Sequence, residues 1–452
     1  MRSANKLAVL AVIVTALLFA GALLSAPPQQ DKMIIEIMGD LRPIKLAVAD
    51  VRENYRTGTP PTAPLAFIFN DVLWKDLDSS GLFTLVSKSL YPKEIPGSPQ
   101  DLPGPKLELW KAPPVEAQAL AFANMTTTAG GLMVEGYLFD PNNKTQPMVF
   151  GRRYPGQPGE DSARLSAHRF ANDIISRLGG GIPGIAESRI YFVSARTGSK
   201  EIWSMDYDGA NQHQVTHYGN ITIDPAVTLD GSKLAYTSYV KGNPDIYVLS
   251  LDTGRMLPFS NQKGPNFTPA WSPDGNRLAF CAAFPGDTEL FVSNASGGGV
   301  TRLTNVRGVD IEAAWNPRTP QIAFVSDRGG LPQIYLMDSD GSSVRRISAG
   351  TGEAVNPAWH PNGQKMAFAW TRGFAPGNYN IFVMDVASGN FVQLTHGEGK
   401  NEHPSWAPDG RHLVFQSNRG GRTQIYTMLA DGTQVHALTS AGENQSPVWS
   451  AK

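Results

Sequence analysis

The feature that most constrains this chain is a short motif, built around the pattern Pro-x-Trp, that recurs at nearly constant spacing through the C-terminal part. The first copy has valine in place of the tryptophan and the third lacks the proline, but every copy supplies an anchor at the same place. Successive anchors are 44, 44, 44, 47 and 43 residues apart: Val227, Trp271, Trp315, Trp359, Trp406 and Trp449. A period of about 40–45 residues in a strand-rich chain is typical of the blades of a β-propeller.

Each copy of the motif carries the signals for four strands. The anchor strand is followed in most copies by an Asp-Gly turn, as at residues 274–275, where glycine accepts a positive φ without strain. A second and a third strand come next, for example 278–280 and 290–292, and another turn leads to a fourth. Four strands make one blade, and blades must stack because a single blade cannot bury both of its faces. We expect the repeated tryptophans to fill the gaps between neighbouring blades.

The number of blades follows from a count of second strands. Five of them come after an anchor, whereas a sixth, at residues 190–193, has no anchor strand before it. The half-copy at residues 446–450 is the first strand that this blade lacks. We therefore predict an all-β six-bladed β-propeller over residues 184–452, closed by the C-terminal strand.

The first 26 residues have the composition of a signal peptide. Arg2 and Lys6 form a basic start, residues 7–24 are apolar, and small residues stand at 25–26, where a signal peptidase cuts. The sequence therefore predicts export and removal of residues 1–26. The apolar run is also long enough for an uncleaved membrane anchor, which stays open as the alternative.

Residues 27–180 follow a different pattern, that of a small α/β domain. Hydrophobic alternation and periodicity predict strands at 33–37, 45–49, 82–86 and 132–138, and helices at 67–77, 115–124 and 162–178. The Pro/Gly-rich residues 92–105 are expected to form a loop, and residues 179–183 a hinge to the propeller. The predicted architecture is an α/β N-terminal domain followed by the propeller.

The composition and the motifs argue against several functions. The net charge of −1 gives no reason to expect nucleic-acid binding, and the single cysteine, Cys281, is expected to be a buried apolar residue without a disulfide. The sequence contains no Gly-x-Ser-x-Gly nucleophile motif and no His-Glu-x-x-His or Cys-x-x-Cys spacing for zinc. Residues 338–341 resemble part of a calcium loop, but residues 206–209 show the same pattern, which indicates a repeated blade turn. We expect no enzymatic activity, no metal and no cofactor.

A candidate partner-binding site lies at one mouth of the ring. From the strand order, the loops before each first strand share a face with the loops between second and third strands. The candidate residues on these loops are Pro265, Phe267, Thr268, Asp310, Ile311, Glu312, Asn356, Glu402 and His403. The alternative is an enzyme or glycan-binding module with a small ligand in the mouth, which would require convergent groups with shifted pKa values.

A second candidate binding element precedes the α/β domain. Residues 27–37 combine a flexible Pro-Gln lead with an alternating strand that is able to add to the edge of another sheet. The residues of this predicted partner segment are Asp31, Met33, Ile35 and Ile37.

Taken together, these features resemble the TolB family of periplasmic propeller proteins. The resemblance covers nearly the whole chain and rests on the order of signal segment, α/β domain and six-bladed ring. More specific similarities are the helix, Ser-Gly and Phe at 71–83, the helix at 166–178, and the Ser-Arg-Ile-Tyr that opens the ring at 188–191.

The resemblance implies a monomeric periplasmic scaffold that meets membranes only through its partners. In the family, the peptidoglycan-associated lipoprotein Pal binds at a mouth of the propeller, and the first residues of the mature chain contact the inner-membrane protein TolA. These contacts support outer-membrane integrity and constriction during cell division. The family's Pal-contacting positions correspond here to Pro265, Thr268 and Ile311, and the family carries a histidine at the first of them.

Overall fold

The computed structural model describes residues 33, 38, 42–55, 63–102, 104–128, 130–283 and 287–451. The predicted signal peptide and most of the predicted N-terminal partner segment, including Asp31, Ile35 and Ile37, lie outside these residues. Among the helices that the structure describes, none combines the length and the apolar character that a membrane crossing requires.

The N-terminal domain is a mixed sheet with helices on both faces, and its sheet order is β3-β1-β4-β5-β6 with β2 also paired to β4. Its strands are β1 (Ile44–Val48), β2 (Arg52–Tyr55), β3 (Phe83–Leu85), β4 (Ala119–Thr128), β5 (Gly131–Phe139) and β6 (Met148–Gly156). Its helices are α1 (Ala63–Ser79), α2 (Gly104–Lys111) and α3 (Glu160–Leu178). The α1 and α3 helices share one buried cluster with the sheet, and α2 belongs to a second cluster on the opposite face.

Most of the α/β prediction is confirmed, but one predicted helix is wrong, and β2, β6 and α2 were not predicted. Residues 115–124 were predicted as a helix, whereas Ala119–Thr128 is the central strand β4. Both faces of this strand are buried: Ala121 lies in the cluster with α1 and α3, and Phe122 in the cluster with α2. Because both faces are apolar, the strand lacks the polar–apolar alternation of a half-exposed strand. The α2 helix extends beyond the predicted 92–105 loop and was not foreseen.

The predicted strand at residues 33–37 is also not supported where the structure describes it. Met33 is helical and only 5% exposed, and it belongs to the same buried cluster as the propeller residues Leu413 and Met428. Met38, the next described residue, is helical as well. The N-terminal segment therefore lies against the propeller at Met33.

The rest of the chain forms six four-stranded antiparallel blades, as predicted. Blade 1 contains β30 (Asn444–Ser450), β7 (Arg189–Ser194), β8 (Glu201–Asp206) and β9 (His213–Gln214). Blade 2 contains β10 (Thr222–Val227), β11 (Lys233–Ser238), β12 (Asp245–Ser250) and β13 (Met256–Leu257). Blade 3 contains β14 (Asn266–Trp271), β15 (Arg277–Ala283), β16 (Thr288–Asn294) and β17 (Thr301–Arg302).

Blades 4 to 6 repeat the pattern, with the first strand of each blade again nearest the axis. Blade 4 contains β18 (Asp310–Trp315), β19 (Gln321–Ser326), β20 (Gln333–Asp338) and β21 (Arg345–Arg346). Blade 5 contains β22 (Ala354–Trp359), β23 (Lys365–Trp370), β24 (Asn380–Asp385) and β25 (Phe391–Gln393). Blade 6 contains β26 (Asn401–Trp406), β27 (His412–Ser417), β28 (Gln424–Leu429) and β29 (His436–Ala437).

The anchor tryptophans join neighbouring blades, as the sequence predicts. The indole N–H of Trp359 donates to the carbonyl of Ala314 in blade 4 at 3.1 Å, and that of Trp406 donates to Ala358 in blade 5 at 3.2 Å. Trp449 in the C-terminal strand β30 pairs with Ile190 of β7, so the end of the chain completes blade 1. The predicted C-terminal closure of the ring is confirmed.

The two faces of the ring differ in what covers them. The α/β domain contacts the turns between first and second strands and between third and fourth strands, at blades 1 and 6. We call this side the covered face. The opposite side carries the loops that precede the first strands and those between second and third strands, and we call it the open face.

Candidate functional site

Six residues at equivalent positions form a ring around the propeller axis near the open face. Each is the third residue of a first strand and has a positive φ of 48° to 56°, and each strand shifts its register there. The ring residues are Asp224, Thr268, Glu312, Asn356, His403 and Ser446. A left-handed conformation is uncommon for residues other than glycine, so its recurrence in all six blades indicates that it is a regular part of this propeller. We call the narrow part of the axis that this ring surrounds the neck.

Hydrogen bonds between blades hold this ring in place. The backbone N–H of Asn356 donates to Glu312 Oε2 at 2.7 Å, and its side-chain amide donates to Glu312 Oε1 at 3.0 Å. The N–H of His403 donates to Asn356 Oδ1 at 3.2 Å, and that of Ser446 donates to Gln416 Oε1 at 2.8 Å. The positive φ directs these N–H groups sideways, toward acceptors in the preceding blade.

The ring opens into a channel along the axis with a volume of 590 Å³. The ring residues and the anchor tryptophans line it. Among the residues that the structure describes, no group of three or more histidine, cysteine or acidic side chains is arranged to hold a metal ion.

The two acids of the ring are in an unfavourable electrostatic environment. Burial raises the pKa of Glu312 to about 7, and the charges of Asp224 and Glu402 add to the rise, although hydrogen bonds from Asn356 oppose it. Burial also raises the pKa of Asp224, and it lowers the pKa of His403. Each shift disfavours the charged form of the group, as expected for titratable groups that lie in a narrow channel.

The structure brings most of the predicted mouth residues together, but not in loops. Apart from Pro265, they lie within first strands and not in the connections before them. Glu312, Asn356, Thr268 and His403 are ring residues, and Glu402 lies directly beside the ring. The two candidate apolar residues, Phe267 and Ile311, are partly buried and belong to one cluster between blades 3 and 4. Only part of each side chain is therefore exposed at the mouth.

Asp310 is placed differently from the other candidates. It is fully buried, and its Oδ2 accepts a hydrogen bond from the Arg328 guanidinium at 2.8 Å. Asn401 and Asn444 occupy the same position in blades 6 and 1 and accept from Arg419 and Arg196 in the same way. Asp310 therefore joins the strands of its own blade and is not accessible to a partner.

The sequence reasoning also missed a set of exposed apolar residues around the open face. These side chains are 37% to 54% exposed and lie in the loops of blades 2 and 4: Ile221, Val240, Val306, Val309 and Leu331. We call them the apolar rim. Their positions next to predicted strand ends were visible in the sequence, but their exposure was not. Two ring residues, Asp224 and Ser446, were outside the candidate set, although each directly precedes the proline of its repeat.

The fold and the site thus define a two-domain propeller protein with one free face and a polar ring at its mouth. The model of the TolB β-propeller domain family matches residues 177–356 and 348–452. Since these matches span more than half of the sequence, the chain belongs to the TolB family.

Individual relatives agree with this assignment. The chain is 36% identical over 185 residues to the Tol-Pal system protein TolB of Desulfosudis oleivorans, which is 41% of this chain and 41% of the relative. It is 33% identical over 201 residues to a TolB homologue of Chlorobium chlorochromatii, covering 43% and 42% of the two chains. The chain therefore aligns with less than half the length of these relatives.

A solved structure extends the likeness to both domains. The crystal structure of TolB from Acinetobacter baumannii has a TM-score of 0.74 and 27% sequence identity, and the match covers 90% of this chain and 96% of that one. The α/β domain and the ring thus occur in the same order in both proteins.

Proposed function

We propose that the protein is a periplasmic scaffold of a Tol–Pal system and that it binds a Pal-like lipoprotein on its open face. The observation that carries this proposal is the concentration of exposed apolar side chains on the one face that the α/β domain leaves free. Exposed apolar surface beside polar groups is a common feature of protein–protein interfaces. The names of the relatives, which refer to the Tol-Pal system, support this class of partner.

The proposed interface has an apolar part and a polar part. The apolar part joins the rim of blades 2 and 4 to Phe267 and Ile311, which lie between blades 3 and 4. The polar part is the ring, with Thr268 and His403 at the neck. Glu312, Asn356 and Glu402 contribute hydrogen-bonding groups beside them, and Pro265 lies at the edge. A partner that covers the axis would contact both parts at once.

A double substitution tests the proposed interface. Replacing Thr268 and Ile311 together with arginine puts bulk and charge at the neck, and we expect binding to weaken by roughly 2–4 kcal/mol, the range of interface hot spots. The measurement is calorimetric titration of the variant with the soluble domain of the organism's Pal-like lipoprotein. A thermal unfolding curve checks that the variant is folded.

Val344→Arg is the matched control for this experiment. Val344 is 40% exposed in a turn on the other side of blade 4, so an arginine there adds one such charge away from the proposed interface. Unchanged affinity in a folded double variant, or an equal loss in the control, would place the lipoprotein elsewhere. It would also favour the alternative of a small ligand in the channel.

We further propose that residues 27–37 bind a TolA-like inner-membrane protein. The support is the strand-like pattern of the segment in the sequence and the proposed Tol–Pal role. Since Met33 is buried against the propeller, it would have to leave that position before this part of the segment adds to another sheet. The cost of exposing Met33 would then reduce the affinity of the segment for its partner.

A deletion tests this second interaction. A mature chain without residues 27–37 should no longer capture the C-terminal domain of the TolA-like protein, while its affinity for the lipoprotein is expected to remain within about 1 kcal/mol. Capture of the TolA-like domain with full affinity by the shortened chain would contradict the proposal.

A further inference from the structure

The contact between the α/β domain and the propeller contains two buried His–Asp pairs, one from each domain. His168 and Asp76 belong to α3 and α1, and His412 and Asp409 belong to blade 6. Each pair also reaches the other domain. Asp76 accepts a hydrogen bond from the Tyr207 hydroxyl of blade 1, and His412 Nε2 lies 2.8 Å from the carbonyl oxygen of Ser79, the last residue of α1.

The geometry fixes the number of protons on His412. Its Nδ1 is 2.6 Å from Asp409 Oδ2, and its Nε2 is 2.8 Å from the Ser79 carbonyl oxygen. An ionised carboxylate and a carbonyl oxygen can only accept hydrogen bonds, so both ring nitrogens must donate. His412 is therefore an imidazolium when the two domains are docked.

The hydrogen bonds of the His168–Asp76 pair do not require a charged imidazole. His168 Nδ1 is 2.7 Å from Asp76 Oδ2, but its Nε2 has no hydrogen-bond partner. A neutral imidazole with its proton on Nδ1 satisfies this arrangement. The charges of Asp76 and Asp208 outweigh burial and raise the pKa of His168 as well, but only the His412 ring has an acceptor at each nitrogen, one of them in the other domain.

We propose that His412 is a proton-dependent latch that holds the α/β domain on the covered face. When the ring loses a proton and keeps the hydrogen bond to Asp409, the lone pair of Nε2 faces the oxygen of Ser79. Two acceptors then lie in contact, and a carbonyl at the end of α1 loses its partner. Docking of the domain therefore weakens as the pH rises.

The groups that surround His412 support the charged form. Burial alone would lower its pKa, but the charge of Asp409 and the hydrogen bonds to Asp409 and Ser79 outweigh burial and raise it. Arg411 opposes this effect, and Asp76 and Tyr207 line the same narrow space between the domains. The ring of Trp449 lies 6.3 Å away and carries no charge. Asp409 is likewise kept ionised, because its contacts with His412 and backbone N–H groups outweigh its burial and lower its pKa.

The direction of the pH dependence follows from these shifts. Asp409 stays beside His412 when the domain undocks, because both residues lie in blade 6, so the difference between the docked and the undocked pKa of His412 comes from the hydrogen bond to Ser79. A histidine whose pKa is higher in the docked state stabilises docking fully below its undocked pKa. The stabilisation is lost as the pH rises through the docked value. Over this range one released proton lowers the docking equilibrium constant by up to roughly tenfold per pH unit.

The latch is also a departure from the blade repeat. The residues that begin the second strands of blades 2 to 5, at the position of His412, are Lys233, Arg277, Gln321 and Lys365. Only blade 6 has histidine there, preceded by Arg411, which donates to the carbonyl of Gly81 at 3.5 Å. The sequence thus differs from the repeat at the place where the second domain docks.

Two measurements on the mature chain test the proposal. In the first, the imidazole resonances are titrated by NMR, and the His412 signal is assigned by its loss in His412→Gln. We expect His412 to titrate above the ordinary value of about 6.5. In the second, hydrogen exchange of residues 78–82 at the end of α1 is followed from pH 6 to pH 9, relative to β15 in blade 3. This ratio corrects for the intrinsic pH dependence of exchange.

Relative exchange of residues 78–82 should rise by up to roughly tenfold per pH unit in the native chain and stay constant in His412→Gln. His168→Gln is the matched control and should retain the rise. If His412→Gln does not fold, Asp409→Asn should move the rise to lower pH. Titration of His412 at or below 6.5, or equal pH dependence in the native chain and His412→Gln, overturns the proposal. Because the latch lies on the covered face, these results do not depend on lipoprotein binding.

Discussion

Two acids on opposite faces of the propeller, Asp409 and Glu312, have pKa values that are shifted in opposite directions. On the covered face, Asp409 lies 2.6 Å from the His412 ring, and this contact helps to keep its pKa below the ordinary value. On the open face, Glu312 is half-buried in the channel, no cation lies within ion-pair distance among the described residues, and its pKa rises to about 7. A buried carboxylate is stabilised only where a cation or several donors compensate for lost hydration.

This difference suggests what each face is for. The covered face meets a domain that is always present in the same chain, so its charges are paired within the protein. On the open face, next to an apolar rim, no described cation lies within ion-pair distance of Glu312, and burial raises the pKa of Asp224 although the charge of Lys200 opposes the rise. Acids with a raised pKa lower stability at neutral pH, and exposed apolar side chains lower solubility, so a binding role gives a reason for keeping them.

The largest expected effect concerns the closure of the ring that carries both faces. Deletion of residues 446–452 removes the first strand of blade 1 together with Trp449, whose indole N–H donates to Ser188 Oγ at 2.7 Å. We expect the free energy of unfolding to fall by more than about 4 kcal/mol, because a buried tryptophan and a whole ladder of strand pairing are lost. Urea unfolding measures this, and a mature chain without residues 27–33 is the control of equal length. Equal losses in the two chains would argue against closure by the C-terminal strand.

The second prediction compares the acids directly. The pKa of Glu312 is about 7 in the folded protein against an ordinary value of 4.5, so the folded state holds more protons between these pH values. Glu312 therefore lowers stability as the pH rises from about 4.5 to 7, by at most about 3 kcal/mol. Glu312→Gln should remove this dependence and keep one of the two acceptor oxygens for Asn356. The measurement is the midpoint of urea unfolding at several pH values.

Asp409 should show the opposite sign in the same experiment. Its pKa lies below the ordinary 3.8 when folded, so it adds stability above that pH and loses it as the pH falls through the lowered value. Asp409→Asn is therefore expected to destabilise the protein at pH 7, whereas Glu312→Gln is expected to stabilise it. Changes of the same sign at pH 7 would mean that the two faces do not differ in this respect.

A third prediction addresses the covered face alone. Arg411→Ala removes the hydrogen bond to Gly81 and the one to Met38, and should weaken domain docking by about 1–3 kcal/mol. Hydrogen exchange at the end of α1 reports this loss, and lipoprotein affinity should not change. Arg345→Ala, on an exposed outer strand, is the control. An equal increase in exchange in both variants would show that the contact at Gly81 contributes nothing.

The smallest expected effect tests the apolar rim. Val306→Ser removes an apolar side chain that is 45% exposed on the open face, and lipoprotein binding should weaken by about 1 kcal/mol. Val344→Ser makes the same change on the other side of blade 4 and should leave the affinity unchanged. Equal affinities in the two variants would exclude the rim of blade 4 from the interface.

Much of the architecture was predictable because its signals are local. The tryptophan spacing and the Asp-Gly turns repeat along the chain and specify the blades. The single half-copy at the C-terminus specifies how the ring of six blades is closed. The α/β domain has no repeat, and its central strand β4 was misread because both of its faces are buried. A pattern can reveal a strand only when the two faces differ in polarity.

The candidate site was predictable only to within a few residues. Asp310 and Glu312 are both acidic, lie two positions apart, and look equally suited to a mouth in the sequence. In the structure Asp310 is paired with Arg328 inside its blade, whereas the positive φ at Glu312 places that residue in the ring. The sequence alone determined the repeat, since each blade is specified by short-range hydrophobic patterning and turn chemistry. Only the tertiary structure decided which acids are paired and that His412 meets Ser79, because these contacts join residues that are brought together by packing of blades and domains.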